Sequence, residues 1–138
     1  MKTEIYNEYC AAARAVREKV FLDEQGFSYD HDETDDIAVH IVMFDADVPV
    51  AACRIFEGDA PDVYILGRLA VKKEYRGCGV GSAMLGEAKA HAAKLGAKQL
   101  ILHSQMQAKD FYVKNGFEAY GEIEYEEDCP HIWMRTEL

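Results

Sequence analysis

The segment Arg76-Gly77-Cys78-Gly79-Val80-Gly81-Ser82, with three alternating glycines, is the part of the sequence best suited to chemistry. An apolar stretch at residues 63–71 precedes it and an amphipathic stretch at residues 82–95 follows it, which predicts the order strand, glycine turn, helix. Such a turn directs backbone N–H groups and the positive end of the helix dipole at an anion, and glycines let the anion approach the main chain. The segment therefore predicts a phosphate-binding site, to which Lys72 and Lys73 add positive charge.

Two common nucleotide sites do not fit this segment. A P-loop requires G-x-x-x-x-G-K-[ST], and neither that spacing nor its lysine is present. A dinucleotide-binding turn requires G-x-G-x-x-G and an acidic residue at the end of the following strand. The following predicted strand ends in His103-Ser104-Gln105, so both sites are excluded on specific residues.

The segment 76–81 instead matches [QR]-x-x-G-x-[GA], and a second stretch follows at Gln105–Phe117 with the sequence QMQAKDFYVKNGF. The two motifs, in this order and separated by a predicted helix and strand, resemble those of the GNAT superfamily of N-acetyltransferases. The second motif resembles N-x-x-A-x-x-F-Y-x-K-x-G-F, with Gln105 in place of the usual asparagine. Residues 20–26 and the ending Pro130-His131-Ile132-Trp133-Met134 further resemble a small bacterial subgroup of that superfamily.

The predicted elements agree with this resemblance along the chain. They are a short strand at 2–6, a helix from Tyr9 to about Phe21, strands at 37–44, 48–56 and 63–71, a helix at 82–95, a strand at 99–104, a helix at 108–114 and a hairpin of 117–125 with 131–136. The implied fold is a single α/β domain over residues 1–138. It has a mixed, largely antiparallel twisted sheet of about six to seven strands, about four flanking helices and a central splayed pair of parallel strands.

The resemblance implies acetyl-CoA as the cofactor, lying where the strand ending at Val71 diverges from the strand ending at Ser104. Main-chain groups of Leu69, Ala70 and Val71 would pair with the pantetheine arm, much as a peptide adds to an exposed strand, and the glycine turn would hold the pyrophosphate. The implied cofactor-binding residues are Leu69, Ala70, Val71, Arg76, Gly77, Cys78, Gly79, Val80, Gly81, Ser82, Gln105, Ala108, Phe111, Tyr112 and Lys114.

The implied reaction is direct attack of a neutral amine on the thioester carbonyl, which requires a base, an oxyanion donor and a proton for the departing thiolate. Tyr112 matches the family tyrosine that donates that proton. A main-chain N–H near Leu69 or Ala70 is the expected oxyanion donor. Two residues are candidates for the base: Glu24, within the subgroup-like segment, and His103, at the end of a central strand.

The acceptor site is expected to involve Glu24, Arg54, Arg68 and His131. Both arginines lie in apolar strands, where an unpaired charge is costly, so each should reach a cleft or an acid. An acceptor carrying a carboxylate or phosphate would suit them. Residues 20–53 contain nine acids and no Lys or Arg, which favours a cationic amine.

Composition sets further bounds. The net charge of −10 argues against nucleic acid as a partner, although residues 68–114 hold nine of the fifteen basic residues and three of the 25 acidic ones. No signal peptide or membrane span is predicted, and the expected location is the cytoplasm. The four cysteines lack metal-ligand spacing, so no metal site is expected. Many relatives form dimers, so the resemblance allows a homodimer.

The sequence thus predicts an acetyl-CoA-dependent N-acetyltransferase acting on a primary amine of a small molecule. Two alternatives stay open at this stage. One is a module that binds acyl-CoA as a sensor or regulator without turnover. The other is an enzyme that acetylates a protein N-terminus or lysine.

Overall fold

The computed structural model describes residues 1–138, and its centre is one seven-stranded sheet. The strand order is β1-β2-β3-β4-β5-β7-β6, and all neighbouring strands are antiparallel except β4 and β5. This arrangement confirms the predicted fold class. The strands are β1 (Lys2–Tyr6), β2 (Val39–Asp45), β3 (Val48–Glu57), β4 (Val63–Val71), β5 (Gln99–Gln105), β6 (Glu118–Glu126) and β7 (Cys129–Glu137).

Three α-helices flank the sheet: α1 (Ala11–Arg17), α2 (Val80–Lys94) and α3 (Lys109–Lys114). The predicted first helix is α-helical only in its first half, and Glu18–Glu24 continues it as a wider π-helical turn. The structure therefore has three α-helices where about four helices were expected. Helix α2 begins two residues before the predicted start, because Gly79 adopts the left-handed conformation at its N-cap. None of the helices is long and apolar enough to cross a membrane.

The parallel strands β4 and β5 separate after a short pairing. Residues 63–66 pair with residues 99–102, and no pairing continues toward Val71 and Gln105. Two residues after the last pair, Arg68 has a left-handed φ of 51°, and the register between β3 and β4 shifts nearby. The strand is therefore irregular at Gly67 and Arg68. Only Leu66 and Ala70 of β4 are fully buried, fewer than the apolar sequence suggested, because the separation opens a cleft beside the strand.

Each face of the sheet is covered by a helix. The larger core lies under α2 and includes Met84, Leu85 and Ala88, which are buried together with apolar side chains of β4, β5 and β7. The smaller core lies under α1, where Val16 and Val20 pack with residues of β2, β3 and β4. Fully burying a side chain of this size stabilises the fold by about 1.5–3 kcal/mol. The two cores hold β4 from both faces, while the cleft runs between β4 and β5.

Three arginines and three aspartates form an ionic network at one end of this cleft: Arg17, Arg54, Arg68, Asp30, Asp32 and Asp35, of which all but Arg68 and Asp32 are buried. Arg17 of α1 contacts Asp35 at 2.7 and 3.0 Å and Asp30 at 2.8 Å. Arg54 of β3 contacts Asp32 at 2.6 Å and Asp35 at 2.9 Å. The charges balance, and the network fixes residues 30–35 against α1 and the sheet.

Asp35 is the fully buried centre of this network. Burial by itself would raise the pKa of its carboxyl group, but hydrogen bonds from the Arg17 and Arg54 guanidinium groups and from the Asp32 main chain outweigh burial. The pKa of Asp35 therefore lies well below its ordinary value of 3.8. The pKa of Asp32 is also lowered: burial alone would raise it, but the hydrogen bonds from Arg54 outweigh burial.

We expect Asp35→Asn to lower the free energy of unfolding at pH 7 by about 3–5 kcal/mol, because it leaves Arg17 and Arg54 with an uncompensated buried charge. Urea unfolding followed by circular dichroism measures this change. Because the pKa of Asp35 is lower in the folded state than in the unfolded state, its ionised form stabilises the fold above the unfolded-state pKa. This stabilisation is lost as the pH falls. The difference between wild type and variant should therefore shrink below about pH 4.

The matched control is Glu118→Gln, which removes an exposed contact to Arg135 at 3.0 Å. Its unfolding midpoint should stay close to that of the wild type, because exposed ion pairs contribute little. Equal losses for the two variants would contradict the assignment of Asp35 as the centre of the network.

Candidate active site

The gap between β4 and β5 contains two adjoining cavities. One, of about 480 Å³, lies along the glycine turn and the end of β4. The other, of about 620 Å³, lies toward β7 and the β6–β7 turn. Four residues line both of them: Gln25, Leu69, Ala108 and Tyr112. The two cavities are therefore two ends of one passage. Two molecules bound one at each end would come into contact beside Tyr112.

The glycine turn shapes the first cavity through its backbone. Gly77 and Gly79 have φ values of 78° and 87°, and no atom lies within 4 Å of where their Cβ atoms would be. These two glycines are thus required by backbone conformation and leave the main chain open to a ligand. Gly81 differs, because a Cβ there would lie 3.0 Å from Cζ of Phe111. The absence of a Cβ atom at Gly81 lets Phe111 pack against the start of α2.

Arg76, next to this turn, is held by an acidic residue from the π-helical turn. Its guanidinium group donates to both carboxylate oxygens of Glu24 at 2.5 and 2.6 Å, and its Nε donates to the carbonyl oxygen of Val71 at 2.9 Å. The hydrogen bond from Arg76 lowers the pKa of Glu24. Glu24 lines neither cavity. A carboxylate so placed is a weak proton acceptor for an amine in the passage.

Tyr112 lies at the junction of the two cavities and is only 8% exposed. Its ring contacts Phe111 and Phe117 edge to face, at centroid distances of 5.1 and 5.8 Å. Burial raises the pKa of its phenol far above the ordinary value of 10.0. No side chain or main-chain group of the protein hydrogen-bonds the hydroxyl. Tyr112 therefore remains protonated at neutral pH and can donate to a group in the passage.

The second cavity is lined by aromatic and charged side chains. Arg54 and Arg68 both line it, but each is paired with aspartates: Arg68 lies 3.2 Å from both Asp30 and Asp32. The acids at the β6–β7 turn have no such partner among the arginines or lysines. The aromatic lining consists of Phe21, Phe27, Tyr29, Phe56, Tyr112 and Trp133, and the acids are Asp30, Asp32, Glu126 and Glu127.

Two histidines and a glutamate form a cluster on the floor of this cavity. Glu126 has one carboxylate oxygen 3.3 Å from Nδ1 of His103 and the other 3.3 Å from Nε2 of His131. The opposite nitrogen of His131, Nδ1, lies 2.8 Å from the carbonyl oxygen of Cys129. The His103 ring stacks on Trp133 with centroids 4.6 Å apart.

Side chains of the segment after the π-helical turn reach both sides of the passage. Gln105 donates to Gln25 at 2.8 Å, and Ser28 donates to Glu127 at 2.6 Å. Gln105, at the end of β5, and Glu127, at the β6–β7 turn, both lie far from this segment in the sequence. Residues 25–28 therefore form a strap across the second cavity.

Most of the residues singled out from the sequence lie along the passage. The first cavity is lined by Leu69, Ala70, Val71, Arg76, Gly77, Gly79, Gly81, Ser82, Ala108, Phe111 and Tyr112. The second is lined by His103, Gln105, Arg54, Arg68 and His131. Four predicted residues line neither cavity: Glu24, Cys78, Val80 and Lys114. Gln105 faces the strap rather than the glycine turn, and Val80 is buried in the core under α2.

The sequence did not point to the acids and aromatic residues that line the second cavity. Glu124 and Glu126 alternate in sequence, which places both on one face of β6. Their approach to His103 depends on the order β5-β7-β6 and on the register that sets Glu124 opposite His131. That register includes an irregularity between Tyr120 and Glu124. The alternating sequence pattern of the strand gives no indication of this irregularity.

Comparison with known proteins agrees with this geometry. The family model described as acetyltransferase (GNAT) domain matches residues 8–138. The uncharacterized N-acetyltransferase YjcF of Bacillus subtilis is 36% identical over 122 residues, which cover 86% of each chain. The crystal structure of Escherichia coli ElaA superposes with a TM-score of 0.86 at 29% identity, over 99% of both chains. An aminoglycoside 6'-N-acetyltransferase complexed with coenzyme A shares the fold, with a TM-score of 0.78 at 14% identity over 99% of this chain and 97% of that one. The chain therefore belongs to the GNAT family of acetyltransferases and is an acyltransferase.

Proposed function

We propose that this protein uses acetyl-CoA to acetylate a primary amine of a small cationic molecule. The observation that carries the proposal is the single passage in which an anion-binding glycine turn and an aromatic, acidic cleft meet beside Tyr112. Acyl-CoA supplies an acyl group already activated as a thioester. The residues of the passage bind the cofactor at one end and the acceptor at the other, orient the reacting groups and move protons.

The first cavity fits coenzyme A by its chemistry. The main chain of Gly77 and Gly79 lies open at the N-terminus of the 15-residue helix α2, where the helix dipole favours phosphate. Arg76 lines the same cavity, where its guanidinium group is paired with Glu24. Beyond Leu66 the edge of β4 that faces β5 pairs with no strand, so its main-chain groups, apart from the Val71 carbonyl that accepts from Arg76, can pair with an amide-containing arm such as pantetheine.

Tyr112 is the group that we assign as proton donor to the departing thiolate. It lines both cavities and therefore lies where the thioester and the acceptor would meet. Its hydroxyl makes no hydrogen bond within the protein, so its proton is available to a ligand. Burial keeps the phenol protonated, so it can donate a hydrogen bond to the sulfur as negative charge develops there.

Of the two candidate bases, the geometry favours His103. Its side chain lines the acceptor end of the passage, whereas Glu24 lies outside both cavities and is bound by Arg76. The low pKa of Glu24 makes its carboxylate a poor acceptor for an ammonium proton. We therefore assign His103 to deprotonate the amine and Glu24 to hold Arg76.

The acceptor end favours a cationic, compact molecule. Arg54 and Arg68 are neutralised by aspartates, so they offer no free charge to an acceptor carboxylate or phosphate. Glu126 and Glu127 remain as carboxylates without Arg or Lys partners. The strap of residues 25–28 crosses the cavity, which favours a small amine over a polypeptide chain.

The proposal is tested by a panel of small amines with acetyl-CoA, with release of free thiol as the signal. We expect at least one cationic primary amine to give saturable release, and an uncharged amide of the same size to give none. Calorimetry with acetyl-CoA is run in parallel. Tight acetyl-CoA binding without thiol release for any amine would replace the enzyme with a sensor.

Tyr112→Phe should lower kcat by about 10²-fold, because the thiolate loses its proton donor. Affinity for acetyl-CoA should remain within about twofold, since the phenyl ring keeps its contacts with Phe111 and Phe117. Steady-state kinetics and calorimetry measure the two effects separately. The control is Tyr125→Phe, which changes an exposed tyrosine outside both cavities. An unchanged kcat in Tyr112→Phe would remove Tyr112 from the mechanism.

Gly79→Ala should weaken coenzyme A binding by about tenfold or more. The added Cβ disfavours the left-handed φ by about 1–2 kcal/mol and narrows access to the main chain. Calorimetry with coenzyme A measures the dissociation constant. Gly86→Ala is the control, because Gly86 lies within α2, has no unusual φ and has open space around it. Equal affinities for the two variants would contradict the role of the glycine turn.

Glu24→Gln separates the two assignments for Glu24. If Glu24 only holds Arg76, the variant frees the guanidinium group for the phosphates, so KM for acetyl-CoA should fall several-fold while kcat changes less than about twofold. Initial rates at varied acetyl-CoA measure both constants. A loss of kcat on the order of 10²-fold with unchanged KM would identify Glu24 as the base instead.

A further inference from the structure

We propose that Glu126 is a positioning residue: it holds the imidazole of His103 with its proton on Nδ1, so that Nε2 is free to accept the proton of the acceptor ammonium. The inference rests on the proposed function, because it assumes that an amine is deprotonated at this end of the passage. It adds Glu126 and His131 to the residues on which the reaction depends.

The plane of the His103 ring is fixed by its neighbours. His103 lies directly opposite Trp133 in the pairing of β5 with β7, and the two rings stack with an interplanar angle of 23°. The ring of His131, two residues before Trp133 on the same face of β7, lies 4.9 Å from that of His103. The side chain of His103 is 15% exposed. These contacts leave the ring few orientations other than the observed one.

Hydrogen bonds then determine which nitrogen of His103 carries the proton. A carbonyl oxygen can only accept, so Nδ1 of His131 donates to Cys129. An ionised carboxylate can also only accept, so Nδ1 of His103 donates to Glu126 at 3.3 Å. The second oxygen of Glu126 lies 3.3 Å from Nε2 of His131, and His131 can donate to it only as an imidazolium, because its Nδ1 proton is already used at Cys129. A neutral His103 therefore has its lone pair on Nε2.

Nε2 of His103 is buried and has no hydrogen-bond partner. A buried nitrogen without a partner is uncommon, because its lost hydration is not replaced, and such atoms often have a functional role. Its nearest charged neighbour is Glu124 of β6, with Oε1 at 3.5 Å and a side chain that is 59% exposed. Since Glu124 is exposed, it can move aside and let an amine reach Nε2.

The charged groups around His103 suit the transfer of a proton to it. Glu124 and Glu126 face it from β6 and His131 faces it from β7, while Arg68 in the same cavity is paired with Asp30 and Asp32. When the ammonium N–H bond breaks, its proton forms an N–H bond at Nε2 and its electron pair stays on the amine nitrogen. The imidazolium that forms is stabilised by Glu126, and it returns the proton to water after acetyl transfer.

Two readouts test this inference. The first is NMR of histidine labelled with ¹³C and ¹⁵N, with His103 assigned by its loss in His103→Asn. The wild type should show His103 with its proton on Nδ1, and Glu126→Gln should shift it toward the Nε2-protonated form. The second readout is kinetic: Glu126→Gln should lower kcat about tenfold or more with KM for acetyl-CoA unchanged, and Glu126→Asp should recover part of kcat. Glu122→Gln is the control, because Glu122 lies on the same strand, is exposed and lines neither cavity.

Several outcomes would overturn the inference. They are a His103 protonated on Nε2 in the wild type, a tautomer unchanged by Glu126→Gln, or a His103→Asn variant with the kcat of the wild type. The NMR readout needs no turnover. Absence of thiol release with every amine would therefore count against the proposed function, and it is distinct from an unchanged tautomer, which counts against Glu126.

Discussion

The separation of β4 from β5 is the constraint on which the rest of this structure depends. In a continuous parallel pair, every N–H and C=O group between the two strands would be paired, and no space would remain between them. Here the pairing ends at Leu66 and Leu102, and the sheet opens at its centre. The opening exposes main-chain groups of β4 and creates both cavities. Helices α1 and α2 cover the two faces of the sheet and hold the separated strands in place.

The ionic network is connected to this opening through Arg68. Its left-handed backbone lies where β4 leaves β5, and its side chain contacts Asp30 and Asp32. The acidic segment is thereby held beside the cleft, and the positive charges of β3 and β4 are neutralised within the protein. The negative charge of the acceptor cavity is then concentrated at the β6–β7 turn. The acidic composition of the chain thus leaves carboxylates without Arg or Lys partners at one end of the passage, which is where we propose that a cationic acceptor binds.

The two ends of the passage are built by different means. The glycine-turn end relies on the main chain, so its shape follows from backbone conformation and tolerates changes of side chain at positions such as Cys78. The acceptor end relies on side chains from residues 21–32 and from several strands, and Glu126 contacts residues of two other strands. Tyr112 lies at the boundary and lines both cavities.

Local sequence was sufficient for the fold class and for predicting a glycine turn before α2. The strands and helices follow from hydrophobic periodicity, and the turn at residues 76–82 and Tyr112 were singled out because each motif is contiguous. Pairings between distant residues were not predictable: Arg54 with Asp32 spans 22 positions, Arg68 with Asp32 spans 36, and His103 with Glu126 spans 23. Glu24 was assigned to the acceptor site and the reaction from its segment, yet it contacts Arg76. The sequence by itself thus determined the elements and the turn, whose conformation depends on neighbouring residues. Only the tertiary structure decided which charges neutralise each other and which histidine nitrogen stays free, because strand order and register bring those groups together.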